Sequence, residues 1–271
     1  MYKRLIETSK KSFFLFGPRG TGKSTCLKSL FKNALYIDLL KSRNFLKYQQ
    51  HPSILQEEVK SQKLDSWIII NEIQKIPELL DEVHSLIFKF GQQYKFVLSG
   101  PSTRKINRNS GNLLAGRALN KKMFPLSILE IEDFSLEPIL RFGQLPLSVN
   151  VEEAMGKIEL GQLFETFFIN ELRLIKSYKN YGYKFSYWRT SSGTEVDLLI
   201  ERGKRVIGIE IKYSQNWKES YNKGLTTLKK SHAIEKAYGI FIGDIPRKQA
   251  SISIFPYQLF LKKFSEKDLF S

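Results

Sequence analysis

"SFFLFGPRGTGKSTCLKSLFK", residues 12–32, decides the fold. It opens on an apolar run, Phe13–Phe16, with the length of a buried strand. A glycine-rich turn follows, and then a helical stretch from about Lys23 to Lys32. Within it "GPRGTGKS" (17–24) fits G-x-x-x-x-G-K-[ST] in the required context, strand before and helix after. Glycines there let backbone N–H groups turn inward around phosphate oxygens, and the helix N-terminus adds its partial positive charge. Lys23 is then placed for the β- and γ-phosphates and Ser24 for Mg2+. The nucleotide-binding set read from this stretch is Gly17, Pro18, Arg19, Gly20, Thr21, Gly22, Lys23, Ser24 and Thr25.

The segments that follow supply a sheet for this turn. "ALYIDLL" (34–40), Trp67–Asn71 and "KFVLSG" (95–100) read as buried strands, and "KKMFPLSILEI" (121–131) offers a fifth. Between Asn71 and Lys95, helical spacing of Leu79, Leu80, Val83, Leu86, Ile87 and Phe90 is framed by Pro77 at the start and Gly91 at the stop. Alternating strands and helices predict an α/β fold with a mostly parallel sheet covered on both faces.

Magnesium-dependent hydrolysis needs an acid at the tip of a neighbouring strand. Trp67–Ile70 supplies the strand, but its tip reads Asn71-Glu72. The Asn71 amide can accept from a metal-bound water yet brings no charge, which weakens metal retention. Glu72 remains as the group to orient or deprotonate the attacking water. Ser99, ending the fourth strand, is a candidate γ-phosphate sensor, and Arg117 in "NLLAGRA" a candidate arginine finger or a plain surface cation.

The 271 residues suffice for two ordinary domains, and 42% hydrophobic with 26% charged residues fits a globular chain. No apolar run approaches the roughly 20 residues a bilayer span needs, and the start lacks a signal-peptide core, so a cytoplasmic protein is expected. Cys26 stands alone, which excludes a disulfide framework within the chain. The net charge is +16, with +10 on residues 1–150. It peaks at 104–122, where Arg104, Lys105, Arg108, Arg117, Lys121 and Lys122 occur without an acid. Such a stretch suits DNA or another polyanion.

The pattern breaks around 143–160 and starts afresh, so the expected division is a domain at 1–144, a linker at 145–160 and a second domain at 161–271. The second opens on a helix, about 161–177, with Phe164, Phe167, Phe168, Leu172 and Ile175 on one side. In "TEVDLLIERGKRVIGIEIKYS" a turn at Gly203-Lys204 makes paired numbers sum to 407. Val196, Leu198 and Ile200 then oppose Ile211, Ile209 and Ile207 on one apolar face. The other face sets Asp197 opposite Glu210 and Glu195 opposite Lys212. Asp197 with Glu210-Ile211-Lys212 matches D…(D/E)-x-K, in which paired carboxylates hold Mg2+ and lysine positions water at a phosphodiester. The same residues also suit an exposed hairpin face with cross-strand salt bridges.

Taken together, "FFLFGPRGTGKST", "IIINEIQKIPELLDEVH", "NLLAGRA", "GQLFETFFINEL", "YWRTSSGTEVDLLI" and "IEIKYS" resemble one prokaryotic family. It joins an AAA-type P-loop ATPase domain to a C-terminal restriction-endonuclease-like domain of unknown function. The resemblance implies a P-loop NTPase parallel sheet flanked by helices, followed by a smaller α/β endonuclease-like domain. It makes Lys23 and Ser24 the nucleotide and magnesium contacts and Glu72 the catalytic acid. It adds Glu165 to Asp197, Glu210 and Lys212 in the endonuclease-like core. Two departures stand out: members usually carry Asp at the position of Asn71, and a long winged-helix-like segment before the equivalent of "GQLFE" is here a short linker.

The expected function is ATP binding with weak or absent Mg2+-dependent hydrolysis, fused to an endonuclease-like domain with little expectation of cleavage. The alternatives are a nucleotide-switched DNA-binding protein, a metal-dependent nuclease, or a shortened inactive relative. ATP and Mg2+ are the expected ligands and DNA a candidate partner; an oligomer stays open and a membrane partner is not expected.

Overall fold

The computed structural model describes residues 2–101, 117–146, 160–191, 193–231 and 234–270. Arg104, Lys105 and Arg108 of the basic stretch, and most of the expected linker, lie outside them. The chain divides into two compact units, Met1–Leu126 with Leu145–Leu147, and Ser127–Gln144 with Ser148–Ser271. Ser127–Gln144 thus groups with the second unit, where the sequence reading ran the first domain to residue 144.

In the first unit β1 (Phe13–Phe16), β2 (Leu35–Asp38), β3 (Trp67–Asn71), β4 (Lys95–Gly100) and β5 (Leu119–Lys122) form one sheet in the order β2-β3-β4-β1-β5. Every pairing is parallel. β3 shows why its run is unbroken by polar residues. Ile68 and Ile70 enter a cluster with Leu55, Val59, Leu79 and Leu80, whereas Ile69 enters the opposite one with Phe13, Leu15, Cys26 and Leu27. All three isoleucines are fully buried, each contributing about 2 kcal/mol of hydrophobic stabilisation. The helix expected after β3 runs Leu79–Phe90, ended by Gly91 in a left-handed backbone with φ of 59°.

The fifth strand needs correcting. It spans Leu119–Lys122, largely before the apolar "MFPLSILEI" that suggested it. As an edge strand of mostly exposed residues it carries polar side chains, while the apolar segment continues as a buried loop and a short 3-10 turn at Ile128–Glu130. Two helices, Ser42–Gln50 and Ile54–Lys60, fill a crossover that the sequence pattern leaves unassigned.

Because the sheet is parallel, all its strands end on one edge. In-register pairing lines up Asp38 with Asn71, Asn71 with Ser99, and Phe16 with Gly100 along that edge. In parallel α/β sheets ligands bind there.

The second unit packs a six-stranded mixed sheet in the order β10-β11-β9-β8-β7-β6. Its strands are β6 (Lys184–Arg189), β7 (Glu195–Arg202), β8 (Arg205–Lys212), β9 (Lys236–Phe241), β10 (Arg247–Gln249) and β11 (Ile252–Pro256). The opening helix runs Leu160–Tyr178 and buries Phe164, Phe167, Phe168, Leu172 and Ile175. The hairpin keeps the expected register from Arg202↔Arg205 to Leu198↔Ile209. On its other side β7 pairs with β6 from Glu201 to Glu195, and the register shifts between Ser186 and Trp188, opposite Leu199 and Val196. That bulge corrects the expected face. Val196 packs with Leu199, Trp217 and Leu225, although simple alternation groups it with Leu198 and Ile200.

Candidate functional site

The turn after β1 is braced before any ligand is considered. Gly17 donates to the Gly100 carbonyl at 3.3 Å, and a Cβ on Gly17 would lie 2.2 Å from the Met123 carbonyl oxygen, so only glycine fits. Gly22, with φ of 82°, turns the chain into α1 (Lys23–Leu30) through a left-handed backbone that side chains resist. Thr21 is buried and its hydroxyl donates to the Pro18 carbonyl at 2.9 Å. The Lys23 ammonium, also buried, donates to the carbonyls of Gly17 and Pro18 at 2.7 and 2.8 Å. Burial lowers its pKa, Glu72 opposes that, and Arg19 adds to it. Arg4, which sequence reading passes over, donates to the Thr21 carbonyl at 2.7 Å and to those of Phe124 and Pro125 at 2.7 and 3.1 Å.

Asn71 is the hub of the strand tips. Its Oδ1 accepts from Ser24 Oγ at 3.2 Å and from Ser99 Oγ at 2.6 Å. Its Nδ2 donates to Asp38 Oδ1 at 3.0 Å. Ser24, Asn71 and Ser99 are therefore brought together as the sequence suggests, but Ser99 is fully buried and directed at Asn71. Asp38 is a further member that no motif marks. Glu72 is nearly buried, accepts from Gln74 Nε2 at 2.5 Å, and holds φ at 63°. A left-handed backbone is uncommon for a non-glycine residue and concentrates at functional sites. Arg117 instead engages the Leu79–Phe90 helix: its guanidinium donates to His84 Nε2 and lies 5.6 Å over the Phe88 ring.

In the second unit β7 and β8 converge Asp197, Glu210 and Lys212, but not as ladder pairs. Asp197 Oδ2 accepts from the Ile211 N–H at 2.6 Å, so this carboxylate caps the place where the two strands part. Lys212 Nζ reaches Glu210 Oε1 at 2.7 Å and Asp197 Oδ2 at 3.4 Å. Glu210 Oε2 is buried and has no hydrogen-bond partner among the described residues. Burial and then the Asp197 charge push the Glu210 pKa up to about 7. Burial also raises Asp197 and Glu165. For Lys212 burial acts downward, yet Asp197 and Glu210 carry the net shift upward. The Glu165 charge reaches both Glu210 and Lys212. Among the described residues no group of three or more His, Cys, Asp or Glu is disposed to hold a metal.

The model of an AAA domain matches residues 9–132. The first unit carries an AAA-type P-loop NTPase domain. The model of a domain of unknown function (DUF4143) matches residues 160–260, so that domain follows the NTPase domain. No curated protein matches the chain. Among solved structures, the P-loop NTPase domain of the sigma-54 transport activator from E. coli is 13% identical, with TM-score 0.32. That match covers 44% of this chain and 87% of the other. PCH-2 of C. elegans is 14% identical over 43% of this chain and 36% of its own, with TM-score 0.29. At that similarity neither bears on substrate or partner.

A P-loop NTPase domain implies a nucleotide ligand, usually with Mg2+, and the residues present fit one. The first turn of α1 has N–H groups without intrahelical acceptors. Beside it stand the Lys23 ammonium and the Ser24 hydroxyl, and the Gly17 backbone runs too close to Met123 for any side chain to fill the turn. No described helix is long and apolar enough to cross a membrane.

Proposed function

We propose that the NTPase domain binds ATP with Mg2+ and hydrolyses it weakly. The observation that carries this reading is Asn71: a neutral amide occupies the strand tip beside Ser24, inside an otherwise well-formed phosphate turn. Lys23, braced on two carbonyls, stabilises charge on the β- and γ-phosphates. Ser24 offers its hydroxyl to the cation, and Glu72 accepts a proton from the water attacking the terminal phosphate. Bound Mg2+ would supply charge neutralisation at the phosphate oxygens. The lone, buried Cys26 supports a cytoplasmic setting. Calorimetric titration with ATP, in Mg2+ and in EDTA, tests the reading. Saturable one-site binding is expected, and no heat of binding in either buffer would sink it.

A second reading concerns the other unit, taken as a restriction-endonuclease-like domain. The unpartnered buried Glu210 Oε2 beside Asp197 favours a divalent-cation site that acts on a phosphodiester, with Lys212 positioning water. DNA incubated with Mg2+ or Mn2+ should be nicked by the wild type and not by Asp197→Ala. Intact DNA with both proteins would remove the reading.

A further inference from the structure

We propose that Asp38 is the carboxylate of the magnesium site, orienting Asn71 from the neighbouring strand and supplying the negative charge that position 71 lacks. The inference rests on the reading above, that the domain binds ATP with Mg2+. It starts from register: β2 and β3 are parallel and Asp38 lies opposite Asn71, so both side chains emerge at the same strand-tip edge as Ser99.

The chemistry of the pair settles which way the amide points. An ionised carboxylate only accepts hydrogen bonds, so the nitrogen of Asn71 must face Asp38, as it does at 3.0 Å. That leaves Oδ1 on the Ser24 side, where it accepts from the Ser24 and Ser99 hydroxyls. Hydroxyls donate or accept equally well and would tolerate either orientation. Asp38 alone breaks that symmetry. Were the amide reversed, two N–H groups would point at the cation position next to Ser24 and repel it.

Asp38 is itself held. Its Oδ1 accepts from the Leu40 N–H at 3.1 Å as well as from Asn71, and its Oδ2 has no hydrogen-bond partner among the described residues. Mg2+ dehydrates reluctantly and keeps several waters, so a carboxylate one residue removed can act on it through a metal-bound water. A carboxylate behind a neutral ligand also makes that ligand a stronger acceptor. Asp38 is thus a positioning residue for Asn71 and a charge for the cation's outer shell.

The test compares wild type, Asp38→Asn, and the swap Asp38→Asn with Asn71→Asp. ATP affinity is measured by calorimetry in EDTA and in saturating Mg2+, and the ratio is the magnesium gain. Asp38→Asn should lose about tenfold of that gain. Its affinity in EDTA should stay equal or tighten, because one negative charge near the phosphates is gone. A merely structural role would weaken both measurements together. The swap returns the gain to the wild-type value or above, since the carboxylate then stands beside Ser24 with an amide donating to it. If Asp38→Asn melts below the assay temperature, the swap decides alone: it must bind ATP with Mg2+ at least as tightly as wild type. An undiminished gain in Asp38→Asn, or a swap that binds Mg2+-ATP more weakly than wild type, overturns the proposal while leaving ATP binding intact. A wild type that binds no ATP in either buffer overturns both readings.

Discussion

In the first unit one buried ammonium, Lys23, rests on two carbonyl oxygens, those of Gly17 and Pro18. In the second, one partly buried ammonium, Lys212, rests on two carboxylates, Asp197 and Glu210. Carbonyls orient a lysine without cancelling its charge, so Lys23 stays available to an anion. Carboxylates cancel it, and Lys212 bridges the two acids where the strands part. The pKa directions follow: Lys23 lies below its ordinary value through burial, while the two acids lift Lys212 above its own despite burial. A lysine opening a helix and a lysine ending a strand therefore answer to different ligands, a phosphate in one unit and a cation, or none, in the other.

The contrast breaks most sharply at Lys23. Lys23→Ala should weaken ATP binding about 100-fold, the loss of a charge-assisted contact of roughly 2–3 kcal/mol, with little change in melting temperature. Calorimetry and a thermal melt on the same preparation check both halves. Lys212→Ala should do the reverse, leaving ATP affinity intact and lowering stability by about 2 kcal/mol as two buried acids lose their counter-charge.

That second effect depends on pH. A carboxyl whose folded pKa lies above its unfolded one binds its proton more tightly when folded. Glu210, ordinarily near 4.5 and pushed up to about 7, therefore detracts from stability as pH rises through that window. Stability should fall as pH rises from 4.5 to about 7, by on the order of 1–2 kcal/mol, more steeply in Lys212→Ala and less steeply in Glu210→Gln, as thermal melts across that range would show. A slope unchanged by Glu210→Gln would show that Glu210 is already ionised at low pH. The smallest effect is expected at Arg117. Its ring stacking and bond to His84 are worth about 1 kcal/mol, so Arg117→Ala should shift the melt slightly and leave ATP affinity alone. A hundredfold drop in ATP turnover would instead make it an arginine finger.

What could be read in the sequence depended on how local its cause was. The phosphate turn was legible because its glycines, lysine and serine act within eight residues. The β7–β8 register was legible because the turn at Gly203-Lys204 fixes it, as Ile200↔Ile207 and Arg202↔Arg205 show. The bulge near Asp197 was not, since it arises from pairing with β6, a strand outside the hairpin. β5 was displaced because an exposed edge strand, Leu-Asn-Lys-Lys, carries no apolar signal. Asp38 was missed for a topological reason: it meets Asn71 only when a crossover of two helices brings their strands into register.

Glu171 bears on how this chain can be taken apart. It is almost wholly buried, its pKa is pushed up to about 7 mainly by burial, and its donors are the Ser127 hydroxyl at 2.6 Å, the Ile128 N–H at 3.3 Å and Gln144 Nε2. A scission after residue 144 puts all three donors on one fragment and the carboxyl on the other. The C-terminal fragment would then have to keep a proton at neutral pH, or expose the middle of its longest helix, to fold at all. Fragments divided before Ser127 keep carboxyl and donors in one piece, and the pH at which each recombinant half stays in solution should differ accordingly.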